Sequence, residues 1–309
     1  YRAMDQYDEA LTDFNRAIEL DPDYTWAIAH RGEIHRSLKR YDEALTDFNR
    51  AIELDPQADW AFVDRGQTYR AMDQYDEALT DFNRAIELDP DYTWAIAHRG
   101  ETYRLTDQYD EALTDFNRAI ELNPTHTWAI ASRGQTYQAM DQYDEALTDF
   151  NRAIELDPQA NWAFGGRGEI YRALGRYDEA LTDFNRAIEF DARDGWSLYE
   201  RAMTYRSWGG REDGSDLLRA VELFKVDAEE PGPRGASGRA NLVVAYCAMS
   251  CWAEADSALT LFLQRLPSHG QIRELLTDLD KLMQLVPDIH EQVVQHREQL
   301  QQALARRRS

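Results

Sequence analysis

The sequence repeats with a period of 34 residues. The segment DPDYTWAIAHRGE at 21–33 returns unchanged at 89–101, two periods later. The segment YDEALTDFNRAIEL begins, with one change at the end of the last copy, at Tyr7, Tyr41, Tyr75, Tyr109, Tyr143 and Tyr177. A fixed period of this length predicts stacked supersecondary units rather than one closed core, because a single unit cannot bury its apolar faces alone.

Each repeat is predicted to be a pair of helices. In the repeat at 59–92, we expect a first helix at about 60–72 and a second helix at about 75–88. Apolar residues in the second helix fall three and four positions apart, which places them on one face. Asp73 is expected to cap the second helix. Pro90 follows the end of that helix, because proline cannot continue helical hydrogen bonding.

The pattern resembles the tetratricopeptide repeat family, in particular bacterial-type arrays with an Arg-Gly pair in each first helix. The residues that carry the resemblance in one repeat are Gly66, Tyr69, Ala78, Phe82, Ala85 and Pro90. Two features depart from the family signature: Trp60 lies six rather than four residues before Gly66, and Arg65 replaces the leucine before the glycine. The resemblance implies an all-α protein, an α-solenoid superhelix of antiparallel helix pairs, right-handed, with first helices that line a concave face.

The repeat pattern divides the chain into six segments. These are a partial repeat at 1–24, five full repeats at 25–194, a degenerate repeat at 195–228, a Pro/Gly-rich loop at 229–238, a divergent repeat at 239–269 and capping helices at 270–309. Tyr1 aligns with Tyr69 inside a first helix, so we expect a longer natural chain with a further domain upstream. The loop at 229–238 is the best candidate hinge, because proline and glycine interrupt helices.

Composition excludes several classes of function. The net charge is −23 and the acidic residues lie in the repeats, which argues against a nucleic-acid partner. No apolar run reaches 18 residues, so no membrane span is predicted. Cys247 and Cys251 are interpreted as free thiols and favour a reducing, cytoplasmic location. Catalytic, metal-binding and cofactor-binding motifs are missing, so we predict a protein that is not an enzyme and needs no cofactor.

An arginine precedes the glycine of every full repeat, and an aspartate lies sixteen residues after that arginine. Because the two positions face each other across the helical hairpin, we predict an ion pair inside each repeat; binding of a ligand is the alternative. The predicted pairs are Arg31–Asp47, Arg65–Asp81, Arg99–Asp115, Arg133–Asp149 and Arg167–Asp183.

A tryptophan also recurs in the first helices. By resemblance, the concave face binds the partner through residues at these and neighbouring positions, which are Trp26, Trp60, Asp64, Gln67, Arg70, Trp94, His98, Glu101, Arg104, Trp128, Trp162 and Glu169. Family members that grip chaperone C-termini use lysines and asparagines there, and this chain has neither at the positions compared. The alternative is that each tryptophan packs on the preceding repeat, touching residues such as Tyr24 or Tyr92.

We therefore predict a scaffold that binds a protein or peptide of basic character. It is expected to be the recognition or sensor segment of a larger signalling or defence protein. Two alternatives remain open: a regulatory or substrate-selecting arm of an enzyme whose catalytic domain lies upstream, and a structural array that assembles with itself.

Overall fold

The computed structural model describes residues 2–209, 214–230, 233–265, 267 and 269–306, and every regular element in these ranges is a helix. The all-α prediction is confirmed. The helices are α1 (Arg2–Leu20), α2 (Thr25–Ser37), α3 (Tyr41–Leu54), α4 (Asp59–Ala71), α5 (Tyr75–Leu88), α6 (Thr93–Leu105), α7 (Tyr109–Leu122), α8 (Thr127–Ala139), α9 (Tyr143–Leu156), α10 (Asn161–Ala173), α11 (Tyr177–Phe190), α12 (Gly195–Ser207), α13 (Ser215–Glu229), α14 (Pro233–Ala248), α15 (Trp252–Gln264), α16 (His269–Leu285), a 3-10 turn (Pro287–Ile289) and α17 (His290–Arg306).

The chain forms two compact units, residues 1–136 and 137–309. Within each unit, helices pack in sequence order as antiparallel pairs, and second helices also pack on the first helix of the next pair, as α3 does on α4, α5 on α6, α9 on α10, α11 on α12 and α13 on α14. First helices contact each other as well: α2 with α4 and α4 with α6 in one unit, and α10 with α12 in the other. In each unit we call the surface formed by its first helices the first-helix face: α2, α4 and α6 in residues 1–136, and α10, α12 and α14 in residues 137–309.

The turn inside each repeat differs from the prediction. Asp73 does not cap the second helix; it ends the first one, in the left-handed conformation with φ of 59°. The amide of Gln74 donates to the carbonyl of Tyr69 at 2.9 Å, and the amide of Asp73 donates to that of Arg70 at 3.0 Å. These bonds satisfy the last carbonyls of α4. Aspartate tolerates this conformation better than most residues, and the Asp73 carboxylate accepts a hydrogen bond from the hydroxyl of Tyr75 at 2.8 Å.

Glycine and phenylalanine form the core of each pair. Phe82 is fully buried, and a Cβ added to Gly66 would lie 2.8 Å from its ring. The same contact recurs between Gly32 and Phe48, Gly100 and Phe116, and Gly168 and Phe184. In the degenerate repeat Ala202 takes the glycine position, and Leu217 occupies the place of the phenylalanine in the same buried cluster. The larger side chain of Ala202 is therefore matched by Leu217, which is smaller than the phenylalanine of the other repeats.

The predicted loop at 229–238 is wrong for residues 233–238, which open α14. Proline is tolerated in a first helical turn because its missing amide hydrogen would have no partner there. A Cβ on Gly238 would lie 2.6 Å from the backbone nitrogen of Ala228, and Gly235 also faces the backbone that ends α13. These glycines allow α13 and α14 to approach closely, so they do not form a hinge. Residues 231–232 lie outside the described ranges.

The C-terminal helices pack against the last repeat. Leu259 and Phe262 of α15 are buried in one cluster with Leu275 and Leu279 of α16 and Val293 of α17. Within the described ranges, none of the helices combines the length and apolarity that crossing a bilayer requires. The described residues also contain no group of three potential ligands placed to hold a metal ion.

Candidate partner-binding groove

A groove of about 440 Å³ opens on the first-helix face of residues 1–136. It is lined by Trp26, Ala29, His30, Glu33, Trp60, Val63, Asp64, Gln67, Tyr92, Trp94 and His98. Helices α2, α4 and α6 supply all of these side chains except Tyr92, which lies just before α6. We call this cavity the tryptophan groove; it brings together half of the predicted partner-binding residues.

Two tryptophans of the groove are held in place yet accessible. The side chains of Trp26 and Trp94 are 53% and 52% exposed. The ring of Trp26 meets the ring of His30 edge-on, with centroids 4.1 Å apart. The ring of Trp94 stacks on that of Trp128, with centroids 6.1 Å apart and planes at 18°. Because neighbouring rings fix their orientation, these tryptophans need little ordering when a ligand binds.

Trp60 behaves differently. It is half-buried and packs against a cluster that contains Ile28 and Ala29 of the preceding repeat. The packing interpretation of the tryptophan ladder therefore applies to Trp60, and also to Trp26, whose ring lies 5.8 Å from that of Phe14 in the preceding repeat and 6.0 Å from that of Tyr24. Trp26, Trp60 and Trp94 all line the groove as well.

Carboxylates lie beside these rings. The side chain of Asp64 is 14% exposed and lies 3.1 Å from Nη2 of Arg36. Burial raises the pKa of Asp64 to about 6; Arg36 opposes this shift and Glu33 adds to it. Oε2 of Glu33 lies 2.9 Å from Nδ1 of His30. The groove thus combines aromatic faces with two carboxylates.

The predicted arginines of this face make contacts within the array. Nη1 of Arg70 donates to the carbonyl oxygen of His98 at 3.4 Å, which links α4 to α6, and burial lowers the pKa of Arg70. Arg104 forms a two-bonded ion pair with Glu101 at 2.9 and 2.7 Å. Arg70, Glu101 and Arg104 do not line the groove. A role for Arg70 as a partner anchor therefore remains a prediction; in the structure its guanidinium group is directed at the backbone of the next repeat.

His98 closes the groove as a neutral ring. It is 8% exposed, and its ring lies 4.8 Å from that of Trp128. Burial lowers the pKa of His98 well below its ordinary value. Within the described ranges its Nδ1 has no hydrogen-bond partner, which fits a side chain held by ring contacts.

The remaining predicted site residues lie elsewhere. Trp162 is 41% exposed in the unit formed by residues 137–309. Glu169, in the same unit, accepts hydrogen bonds from Nε1 of Trp196 at 3.0 Å and from Nε2 of Gln138 at 3.1 Å. Glu169 therefore joins three first helices.

Four of the five predicted arginine–aspartate pairs are present, each with two hydrogen bonds of 2.5–3.0 Å. They are Arg31–Asp47, Arg65–Asp81, Arg99–Asp115 and Arg167–Asp183. Arg133–Asp149 remains a prediction. A further pair, Arg201–Asp216, was missed because its spacing is fifteen residues. Burial raises the pKa of Asp81 although Arg65 lowers it, so the pair fixes geometry more than it adds net stability.

The sequence analysis also missed a third partner of these arginines. Nη1 of each donates to an asparagine sixteen residues earlier, in the second helix of the preceding repeat, at 2.6–2.8 Å. The pairs are Arg31–Asn15, Arg65–Asn49, Arg99–Asn83, Arg133–Asn117, Arg167–Asn151 and Arg201–Asn185. The asparagine recurs in every DFNRAI segment, and its equal spacing on the other side of the arginine is the signal that could have revealed it.

Models of known protein families match the repeats described above. Models for the tetratricopeptide repeat match residues 23–91, 92–159 and 132–195, and one for the TPR repeat matches 1–36. The chain belongs to the tetratricopeptide repeat family. Among curated proteins, none matches this chain.

Solved structures show the same fold. A tetratricopeptide repeat protein from Parabacteroides merdae ATCC 43184 is 20% identical, with 88% of this chain and 98% of that chain covered and a TM-score of 0.55. The thermophilic TPR protein TTC0263 of Thermus thermophilus is 24% identical, with coverages of 58% and 98% and a TM-score of 0.51. YrrB, described as a TPR protein with an unusual peptide-binding site, is 26% identical, with coverages of 60% and 96% and a TM-score of 0.46. The first two structures are only 20% and 24% identical to this chain, so their likeness shows the helix-pair fold and gives no information about a ligand.

Proposed function

We propose that this tetratricopeptide array binds a basic segment of another protein in the tryptophan groove. The observation that carries the proposal is the pair of half-exposed tryptophans, Trp26 and Trp94, in one cavity with the carboxylates of Glu33 and Asp64. Tryptophan is among the residues that contribute most to protein interfaces. Its ring face also attracts lysine and arginine, by about 0.5–2 kcal/mol depending on desolvation.

Charge supports the basic character of the partner. The net charge of −23 attracts cations over a longer range than direct contacts do. Carboxylates in the groove discriminate against acidic segments, because like charges brought together cost free energy. The binding of the correct partner should therefore weaken as salt is added.

We also propose a wider role for the array. We place the array in the cytoplasm, as a recognition segment of a larger signalling or defence protein that has a further domain upstream, with no catalytic activity of its own. A regulatory arm of an enzyme is the second candidate, and a self-assembling array is the third. The upstream sequence distinguishes the first two, and sedimentation of this chain tests the third.

The proposal can be tested with labelled peptides in fluorescence anisotropy. A library of 12-residue peptides that vary in lysine and arginine content would be compared with acidic peptides of equal length. We expect basic peptides with an apolar residue to bind, and Trp94→Ala to weaken binding at least tenfold, which corresponds to about 1.4 kcal/mol.

Trp208→Ala is the matched control, since Trp208 is 49% exposed and does not line the groove. Circular dichroism would confirm that both variants fold. Equal binding by wild type and Trp94→Ala would place the partner site elsewhere.

A further inference from the structure

Two buried histidines pack on a stacked pair of tryptophans between α6 and α8. The ring of His126, the residue just before α8, lies 4.7 Å from that of Trp94, and the ring of His98 lies 4.8 Å from that of Trp128. His126 is 7% exposed and His98 is 8% exposed. We call these four residues the histidine–tryptophan cluster.

The contacts of His126 require its neutral form. Its Nδ1 accepts a hydrogen bond from the amide of Ala129 at 3.3 Å, which satisfies one of the amide groups that open α8. A protonated ring carries a hydrogen on both nitrogens and cannot accept this bond. In the part of the chain that the structure describes, Nε2 of His126 and Nδ1 of His98 are buried without a hydrogen-bond partner. A proton added to either ring would therefore be a buried charge, and at His126 it would also remove the cap of α8.

The surroundings of His98 oppose its protonation. Burial is the largest cause that lowers the pKa of His98, and Arg70 of α4, Arg36 of α2 and His126 lower it further. Burial also lowers the pKa of His126. Positive charge thus surrounds His98 on three sides, and a further proton would be repelled.

The carboxylates of the neighbouring helices are engaged by arginines. One carboxylate each from α4, α5, α6 and α7 lies in an ion pair, and the first turn of α8 has no acidic residue. The pairs are Asp64–Arg36, Asp81–Arg65, Glu101–Arg104 and Asp115–Arg99. A protonated His98 or His126 would gain a counter-charge only if one of these pairs were broken.

We propose that the histidine–tryptophan cluster is an acid-sensitive latch, in which uptake of a proton by His98 or His126 separates the two tryptophan rings and loosens the start of α8. The latch is a property of the free chain. Its consequence for the tryptophan groove, which Trp94 and His98 line, rests on the function proposed above. Because burial and cations oppose protonation, the latch should open at a lower pH than the value of about 6 near which Asp64 titrates.

The test uses the full chain labelled with 5-fluorotryptophan and observed by fluorine NMR without a ligand. Trp94→Phe and Trp128→Phe assign the two resonances of the cluster. On going from pH 5 to pH 4, we expect these resonances to move at least fivefold further than that of Trp208, a 49% exposed tryptophan outside the cluster. Movement no larger than that of Trp208 would overturn the proposal.

Other repeats supply matched substitutions. Position 98 corresponds to Ser132, and position 126 corresponds to Tyr92, which precedes α6 without a side-chain capping bond. The double variant His98→Ser with His126→Tyr should therefore fold, and its two resonances should not respond to acid. His30→Ser is the control, because His30 has the same position in α2 but is 33% exposed and lies 2.9 Å from Glu33. It should keep the acid response of wild type.

An equal acid response in wild type and the double variant would overturn the latch. Circular dichroism shows whether the helices persist at pH 4. If wild type unfolds there, the double variant should unfold at a lower pH, and equal midpoints would equally overturn the proposal. Since no peptide is present, the result is independent of whether the groove binds a basic segment.

Discussion

Arg65 holds three helices together: its Nε and Nη2 donate to the two carboxylate oxygens of Asp81 at 2.8 and 2.6 Å, and its Nη1 donates to Oδ1 of Asn49 at 2.6 Å. Asp81 lies across the hairpin in α5, whereas Asn49 belongs to α3 of the preceding repeat. One side chain therefore fixes both the angle inside a repeat and the contact between repeats.

Removing the carboxylate of Asp81 should destabilise the folded protein. We expect Asp81→Ala to lower the free energy of unfolding by about 3–5 kcal/mol, because the guanidinium of Arg65, only 20% exposed, would lose its counter-charge. The double variant with Arg65→Ala should lose less than the sum of the single effects. Urea denaturation followed by circular dichroism measures this. Arg84→Ala, which removes an exposed ion pair with Glu87, is the control and should change stability by at most about 1 kcal/mol. Strict additivity would show that Arg65 and Asp81 do not interact.

The glycine of the hairpin should not tolerate a methyl group. A Cβ at position 66 would lie 2.8 Å from the ring of Phe82, so we expect Gly66→Ala to destabilise the protein by about 1–3 kcal/mol. Gly165→Ala is the matched control, because its nearest neighbour is 3.5 Å away and alanine favours helix by about 0.5–1 kcal/mol. Thermal unfolding of both variants should give midpoints that shift in opposite directions; a shared shift would contradict the crowding argument.

Stability should depend on pH through Asp278. Its folded pKa of about 8 lies above the value of about 3.9 expected in an unfolded chain. The folded state therefore keeps a proton that the unfolded state releases, and stability should fall as pH rises from about 4 to 8. Charged and titratable groups around it come from α16, α10 and α12: Glu274, Lys281, Glu169, Arg172, Tyr199 and Glu200. In Asp278→Asn, the fall in the free energy of unfolding over this pH range should be smaller by on the order of 2–5 kcal/mol. Unfolding curves at pH 5 and pH 8 test it, and an unchanged pH dependence in the variant would refute it.

Binding in the tryptophan groove should respond to pH near 6. Asp64 gains its negative charge as pH rises through about 6, so a basic peptide should bind about fivefold more tightly above that pH. Asp64→Asn should flatten the profile, whereas Asp76→Asn, at an exposed position of α5, should leave it intact. Anisotropy titrations at pH 5 and 7 measure both. An equal pH response in wild type and Asp64→Asn would assign the effect to another group.

Local pattern was sufficient to predict the helices of the repeats. The second helix of the repeat at 59–92 begins at Tyr75 and ends at Leu88 as expected, because its apolar stripe and the Asp-Pro pair after it act over a few residues. The prediction for the turn was wrong at Asp73. An aspartate between two helices can either cap the second helix or end the first, and the sequence pattern does not distinguish the two. At Gly235 and Gly238 the same residue type that permits a hinge also permits close helix packing, and only the position of α13 decides between them.

The candidate site was predicted less completely than the fold. The repeat period placed Trp26, Asp64 and Trp94 on the first-helix face, and the structure brings them into one groove. The partner of Arg70 lies in the next repeat, 28 residues ahead, so its contact depends on how repeats stack. The position of α16 depends on which surface offers the largest apolar contact, and helical periodicity along the chain carries no information about that choice.

The three-way contact of each arginine also bears on how such a gene can change. For Arg31, Arg65, Arg99 and Arg167 the partners lie sixteen residues before and sixteen after the arginine, in two different repeats, so each of these repeats supplies the same donors and acceptors to its neighbours. Unequal recombination that inserts or removes one whole 34-residue unit leaves every remaining arginine with an asparagine and an aspartate. A change of one residue is tolerated, as Arg201 and Asp216 show, but an insertion of several residues that is not a whole repeat would alter one of the two spacings. The length of the array can therefore vary in evolution in steps of one repeat, and binding surface can be gained without the redesign of any contact.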